Sequence, residues 1–156
     1  MPFRVAVVAV AVCLLAGQGS DSIDQCRAGI HDKVNALRGK EGLPPLVRND
    51  QLEAAAQKHA ENMAKQDKMS HELDGKRSKE RVLMEGYPAI VVAENIAQAP
   101  APSAKTAAAV VESWRYSPGH YRNILLEAAV ETGVGVAKGK SGKWYYCQVF
   151  AAPKKK

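Results

Sequence analysis

The chain has 156 residues, of which 46% are hydrophobic and 24% charged, so it is long enough for one globular domain with a substantial core. Its formal net charge is +6, but the basic residues are scattered and not interleaved with aromatic residues, which disfavours nucleic acid as a partner. Anionic glycans and lipid headgroups fit this pattern no better, and a solvated basic surface is the simplest interpretation. A short basic C-terminal tail, Lys154 to Lys156, follows Pro153.

Residues 1–19 have the pattern of a secretory signal peptide. The positively charged MPFR is followed by the apolar run VAVVAVAVCLLA and then by small and polar residues. The run of 12 residues is too short to span a bilayer, which disfavours a transmembrane anchor. We expect cleavage near Gly19 and an extracellular or periplasmic mature domain at residues 20–156. A lipid anchor on Cys13 is the alternative, but the small residue that lipoprotein processing usually requires is missing just before it.

The first half of the mature chain is predicted to be helical. Residues 23–39 have apolar side chains at the spacing of a helix with one buried face, and Gly39 is a natural stop. An extended link follows at residues 43–46, and Asn49 or Asp50 can cap a second helix. Along this second helix, one stripe is formed by Leu52, Ala55, Ala56, His59, Ala60 and Met63, and it runs on towards His71.

The second half mixes strands and helices. Residues 74–88 are loop-like with a short helical turn around Arg81, and the β-branched residues 89–97 favour a strand. Residues 103–117 are predicted to form a helix that starts at a capping serine and stops at Pro118. The last two apolar segments flank the turn 140–142 and predict a β-hairpin, which must lie against the helices.

Two cysteines remain once the signal peptide and its Cys13 are removed. Cys26 lies in the first helix and Cys147 in the last strand, an even count in a chain sent to an oxidising compartment. We therefore expect a disulfide between Cys26 and Cys147. The alternative is a pair of buried free thiols.

The motifs AENIA, SWRYSPGHYRNIL, GVGVA and WYYCQVFA, preceded by MSHELDGKRSKERVLMEGY, carry a family resemblance. In order and spacing they resemble a bacterial secreted member of the CAP superfamily, the SCP-like extracellular domain, over about residues 28–151. The resemblance implies an α+β fold, a three-layer α-β-α sandwich with a central antiparallel sheet. It also implies one domain with a solvent-open cleft beside the sheet.

Two histidines and two acidic residues line the cleft in this family. The resemblance places His71, Glu94 and His120 at three of these positions, and we expect the Pro118–Gly119 turn to aim His120 at the sheet. The fourth position, three residues after the helix tryptophan, is Ser117 here. Glu112 is close in sequence but lies about 200° around the helix from that tryptophan, so it is expected to face water.

Imidazoles and a carboxylate suit Zn²⁺ with one open position, and they also suit proton transfer. The candidate metal ligands are therefore His71, His120 and Glu94. The gaps between them are not those of a compact metal motif, so the spacing alone gives little support. His59 is interpreted as a boundary residue and His31 as a residue on the polar side of the first helix.

Three functions remain open. The leading hypothesis is a secreted, non-enzymatic binding module, expected to be a monomer, whose cleft receives a small molecule, lipid, glycan or peptide. No nucleophile–base pair is visible, and no Gly-x-Ser-x-Gly elbow supports a serine hydrolase. The alternatives are a metal-assisted hydrolase or peptidase, and a structural interaction domain with a vestigial cleft. Asn95 and Arg81 are assigned structural roles, the first holding backbone at the strand end and the second binding a carboxylate beneath the cleft.

Overall fold

The computed structural model describes residues 15–154, with side chains from Ser22 onward. Residues 1–14 of the predicted signal peptide lie outside this range, and the expected cleavage point near Gly19 falls within the first helix. Within the described range, no helix combines the length and apolar character needed to cross a bilayer.

Five helices and four strands make up the described part of the chain. In chain order they are α1 (Leu15–Lys40), β1 (Val47–Arg48), α2 (Asp50–Gln66), α3 (Ser78–Met84), β2 (Ala89–Ala99), α4 (Ala104–Tyr116), α5 (Pro118–Ile124), β3 (Glu131–Lys138) and β4 (Trp144–Pro153). The predicted helices, strand and hairpin are confirmed, as is the short helix around Arg81. The side chains of Asn49 and Ser103 accept hydrogen bonds from the first backbone N–H groups of α2 and α4, so both caps are confirmed as well.

The four strands form one sheet in the order β1-β3-β4-β2. Strands β3 and β4 are an antiparallel hairpin, and β2 pairs antiparallel with β4. The expectation of an antiparallel sheet needs one correction, because β1 pairs parallel with β3. This two-residue strand is too short to show an alternating pattern in the sequence, which indicates only an extended segment there.

The sheet separates two cores, which gives the predicted three layers. On one face, odd-numbered residues of β4 such as Cys147 and Val149 pack with α2 and α3. On the other face, even-numbered residues such as Tyr146 and Phe150 pack with α1, α4 and α5. This division follows from the alternation of side chains along a strand.

The helix α2 lies directly on strand β3. A Cβ atom added to Gly133 would lie 2.1 Å from the backbone N of Glu53, and one added to Gly135 would lie 2.3 Å from the backbone of Ala56. Because glycine has no Cβ, the two backbones can approach this closely. The side chain of Gln57 then bonds to both the N–H and the C=O of Val136, which secures the register of α2 on the sheet.

The predicted disulfide is wrong. Cys26 and Cys147 are both free and buried, and they belong to the two different cores. The alternation of β4 directs Cys147 towards α2, whereas Cys26 lies in α1 on the opposite face of the sheet. A count of two cysteines does not contain this information. Burial raises the pKa of both thiols, which keeps them protonated.

Asp67 holds the end of α2 against the β3–β4 hairpin. Its carboxylate accepts hydrogen bonds from the Tyr145 hydroxyl at 2.6 Å, the Ser141 hydroxyl at 2.7 Å and the Lys143 ammonium at 3.2 Å. The hydrogen bonds from Tyr145, Ser141 and Lys143 lower the pKa of Asp67 to about 2. This contribution to stability requires the ionised carboxylate.

We expect Asp67→Asn to destabilise the protein in a pH-dependent way. An aspartate has a pKa of about 3.9 when the chain is unfolded. Because the pKa of Asp67 is lower in the folded protein, its contribution to the free energy of unfolding is fully present only at pH values above the unfolded pKa. The gain is lost as the pH falls towards 2. Urea unfolding at pH 6, 4 and 2.5 should therefore show a wild-type advantage that shrinks on acidification. An advantage of equal size at all three pH values would contradict this assignment.

Candidate functional site

A solvent-open cavity of about 610 Å³ lies at the β2 edge of the sheet. Its walls come from the segment after α2, from the start of α3, from β2 and from α5. The lining residues are Met69, Ser70, His71, Glu72, Arg77, Ser78, Glu94, Ile96 and His120. Three of the residues predicted for the cleft, His71, Glu94 and His120, are thus brought together in it.

His71 and His120 face each other across the cavity. The centroids of their rings are 6.5 Å apart, with an angle of 43° between the ring planes. The Nδ1 atom of His71 lies 2.9 Å from Oε1 of Glu94, while the His71 side chain is 56% exposed. Glu94 therefore holds the His71 ring in place, while the ring stays accessible to solvent.

Glu94 is a buried carboxylate at the floor of the cavity. Its Oε2 accepts a hydrogen bond from Arg81 at 2.5 Å, so the role predicted for Arg81 is confirmed. The Sγ of Cys147 lies 3.5 Å from the same oxygen. Burial alone would raise the pKa of Glu94, but the hydrogen bond from His71 and the positive charge of Arg81 outweigh burial, and the pKa is lowered. Glu94 is thus an ionised carboxylate in a nearly closed environment.

His120 is positioned by helix α5, and here the sequence interpretation needs a correction. Pro118 does not form a turn with Gly119; it is the first residue of α5, where its fixed φ and missing N–H fit a helix start. The Asn95 side chain donates to the backbone carbonyl of His120 at 3.0 Å, which confirms its role in holding backbone. Burial, and then the neighbouring His71, lower the pKa of His120, which favours its neutral ring.

The interpretation of His59 as a boundary residue is wrong, because its side chain is fully buried. Its Nε2 lies 2.9 Å from the Ser70 carbonyl, which fixes the segment that leads into His71, and 3.8 Å from Glu94. Burial lowers the pKa of His59, so this ring is a neutral structural support. Its place in the apolar stripe of α2 was the available signal.

Ser117, the fourth predicted cleft residue, is not among the residues that line the cavity. It is the N-terminal cap residue of α5, without a side-chain capping bond. Glu112 is exposed, as expected, and pairs with Arg115 on the surface of α4. Neither residue brings a second acid into the site.

The donor set suits a metal ion only in part. In the described part of the chain, no three His, Cys, Asp or Glu side chains are arranged to hold a metal ion together. Both oxygens of Glu94 are engaged by His71 and Arg81, so Glu94 does not join the two histidines as a third ligand in this arrangement. Zn–N bonds of about 2.1 Å would need the two rings somewhat closer than they lie here. The imidazole pair is the part of the site that fits a metal.

The polar and apolar rim of the cavity was not predicted from the sequence. Arg77 and Glu72 form an exposed ion pair at 2.8 Å, and Met69 and Ile96 add apolar surface. Glu72 follows His71 directly in the chain, but nothing in the loop-like sequence indicates which of its side chains face the cavity. The rim therefore became visible only in the fold.

Residues 31–150 match the family model described as the Cysteine-rich secretory protein family, CAP. The match covers most of the chain, and the protein therefore belongs to the CAP family. This agrees with the three-layer fold. No curated protein sequence matches the chain.

Solved structures of bacterial proteins share this fold. An extracellular protein of Bacillus anthracis that contains an SCP domain superposes with a TM-score of 0.78 at 25% identity, covering 90% of this chain and 44% of that protein. An outer surface protein of Borrelia burgdorferi superposes with a TM-score of 0.73 at 21% identity, covering 80% of this chain and 90% of its own. The chain thus spans less than half of the Bacillus protein but most of the Borrelia protein.

A more distant match is NaASP2, whose structure was solved with Zn²⁺. It superposes with a TM-score of 0.61 at 14% identity, and the superposition covers 81% of this chain and 79% of the NaASP2 chain. At this identity the likeness concerns the fold alone.

Proposed function

We propose that the protein is an exported CAP-domain binding protein whose cleft uses the His71–His120 pair to hold a divalent metal ion, such as Zn²⁺ or Cu²⁺, together with a small molecule, lipid, glycan or peptide. The observation that carries the proposal is the approach of the two rings to 6.5 Å over the buried Glu94. Export is supported by the predicted signal peptide and by the similarity to proteins described as extracellular or outer-surface.

The protonation of His71 supports this role. An ionised Glu94 can only accept hydrogen bonds, so the proton of their shared bond resides on Nδ1 of His71. In the neutral ring this leaves Nε2 as the free electron-pair donor. A carboxylate behind a histidine also orients the ring and increases its basicity towards a metal ion. Glu94 is therefore assigned as a positioning residue for His71 rather than as a metal ligand.

Two imidazoles leave a metal ion with positions to be filled from outside the chain. A bound ion would act as a Lewis acid towards a ligand donor atom in the cleft. With only two protein ligands, we expect affinity in the micromolar range or weaker. The open cavity leaves room for a ligand beside the two rings, and its rim presents the Arg77–Glu72 ion pair to that ligand.

No observation favours the metal-assisted hydrolase over this proposal. With His71 and His120 as metal ligands, Glu94 is the acid that would activate water or complete the metal site in such a hydrolase. Two acids line the cavity: the oxygens of Glu94 already accept bonds from Arg81 and His71, and Glu72 is paired with Arg77. Binding without chemistry is therefore the function that the geometry supports best.

We expect His71→Ala and His120→Ala each to weaken binding of Zn²⁺ by about tenfold or more, because each removes one of two ligands. Glu94→Gln should also weaken it, by about 10-fold to 100-fold, because His71 loses its charged partner. Calorimetric titration of tag-free protein in a buffer that does not bind metal measures all three effects.

His31→Gln provides a matched control, since His31 lies on α1 and bonds to the Leu46 carbonyl, away from the cavity. It should bind metal like the wild type. Thermal unfolding of each variant separates lost ligands from lost structure. Equal affinity in the wild type, His71→Ala and His120→Ala would refute the metal site and leave an interaction domain with a vestigial cleft.

A further inference from the structure

A second cavity, of about 190 Å³, lies between α2 and α3, and no described residue lines both this cavity and the histidine cleft. Its walls come from one face of α2, from α3 and from the residues that flank α3, and we call it the α2–α3 cavity. The volume is several times that of one water molecule but below the roughly 300 Å³ of a typical ligand pocket. The cavity is therefore large enough for one small ring rather than for an extended ligand.

His59 forms part of the wall of the α2–α3 cavity, and one of its ring nitrogens has no partner among the described residues. A carbonyl oxygen only accepts hydrogen bonds, so the Nε2 atom that lies 2.9 Å from the Ser70 carbonyl carries the proton. In the neutral ring Nδ1 then has a lone pair, and it is directed away from Ser70. The side chain is fully buried, and no group of the described chain donates to Nδ1. A buried acceptor without a donor is costly, so a ligand that donates to it gains affinity.

Of the three described cations that line the α2–α3 cavity, two are already paired. Lys58 lies 2.7 Å from the carboxylate of Glu85, and Arg81 lies 2.5 Å from that of Glu94. Arg81 also donates to two backbone carbonyls beside the cavity. Neither cation therefore needs an anion from outside the chain.

Lys76 is the third cation, and its side chain is available to a ligand. The residue is exposed, and within the described chain its ammonium makes no ion pair or hydrogen bond. Its charge is nevertheless balanced by Asp74: hydrogen bonds from Asn62 and Gln66 lower the pKa of this carboxyl, and the nearby Lys76 lowers it further. The ammonium can therefore donate to a ligand oxygen, but a ligand with a net charge of either sign would be left uncompensated.

We propose that the α2–α3 cavity binds a neutral polyhydroxyl ring, such as one monosaccharide unit. A hydroxyl both donates to Nδ1 of His59 and accepts from Lys76, whereas a carboxylate has no proton to give and a hydrocarbon leaves both groups unpaired. The side chains of Ala55 and Met84 add apolar surface for the C–H face of the ring. The site is independent of the metal ion proposed for the histidine cleft.

The test is nitrogen NMR of the metal-free protein with isotope-labelled histidines. Because Nδ1 of His59 is an unprotonated nitrogen, its resonance moves when it accepts a hydrogen bond. We expect at least one of glucose, N-acetylglucosamine and myo-inositol to shift this resonance saturably, with an affinity in the millimolar range. Glucosamine and glucuronate carry a positive or a negative charge on the glucose ring, and we expect them to bind more weakly by about fivefold or more. The resonances of His71 and His120 report binding in the histidine cleft separately.

Lys76→Met should weaken binding of the neutral sugar by about tenfold, because one charge-assisted hydrogen bond is lost. Lys79→Met is the matched control, since Lys79 is an exposed lysine of α3 that does not line the cavity, and it should bind like the wild type. The proposal is overturned if no neutral probe shifts the His59 resonance, which would mean that water alone occupies the cavity, or if the shifts are confined to His71 and His120. Equal affinity for neutral and charged probes, or equal affinity of the two lysine variants, would also overturn it.

Discussion

Gly133→Ala should destabilise the protein by about 3 kcal/mol or more, at the upper end of the cost of overpacking a core. The added methyl group would lie 2.1 Å from the backbone N of Glu53 and 2.2 Å from the backbone carbon of Leu52. Neither contact is with a side chain that could rotate away, so α2 must move off β3. The predicted result is a large fall in the urea midpoint.

Gly39→Ala is the control for this prediction. Gly39 lies in the last turn of α1, and an added Cβ atom there would meet nothing within 4 Å. Alanine is a better helix former than glycine, so the control should be neutral or stabilising by up to about 1 kcal/mol. If Gly133→Ala were as stable as the wild type, the packing of α2 on β3 would not depend on this close approach.

Helix α2 shows how much of the fold could be predicted from the sequence. Its cap at Asn49 and its stripe of apolar residues are local signals, and the structure confirms both. The buried face also includes His59, although the sequence interpretation places this residue at the boundary. Local pattern therefore predicted the helix, but only the packed fold shows that the Ser70 carbonyl pairs with Nε2 of the buried His59.

The disulfide and helix α5 show where local signals fail. Counting cysteines gives their number but not the face of the sheet, and the alternation of β4 places Cys147 opposite to Cys26. In α5 the same Pro118 that ends α4 starts the next helix, because proline is compatible with a first helical turn as well as with a helix stop. Both outcomes depend on tertiary packing.

The candidate site required the family resemblance as well as the residues. His71, Glu94 and His120 are widely separated in the chain, and no spacing rule joins them. The resemblance selected the three residues but not the roles within the trio. Those roles depend on Arg81, which occupies one oxygen of Glu94 and leaves the other to orient His71.

Arg38 occupies a buried position that no sequence pattern predicted. It belongs to the last turn of α1 and is fully buried, and in the described part of the chain no carboxylate pairs with it. Its guanidinium instead donates to four backbone carbonyls, those of Pro44, Ile124, Leu126 and Ala129. Burial lowers the pKa of Arg38, but arginine remains charged at all physiological pH values. The side chain thus joins the end of α1 to the segment that follows α5.

Arg38→Met should therefore destabilise the protein by about 3 kcal/mol or more, because each buried carbonyl left without a donor costs about 1–3 kcal/mol. Removal of the buried charge also removes its desolvation cost, but this offsets only part of the loss. Arg115→Met is the matched control: Arg115 forms an exposed pair with Glu112 on α4, and loss of such a pair costs less than about 1 kcal/mol. Urea unfolding of both variants measures the difference. Hydrogen exchange should also show faster opening of the segment after α5 in Arg38→Met, since that segment loses the donors which hold it to α1. Equal stabilities of the two variants would mean that water or backbone rearrangement replaces the arginine at little cost.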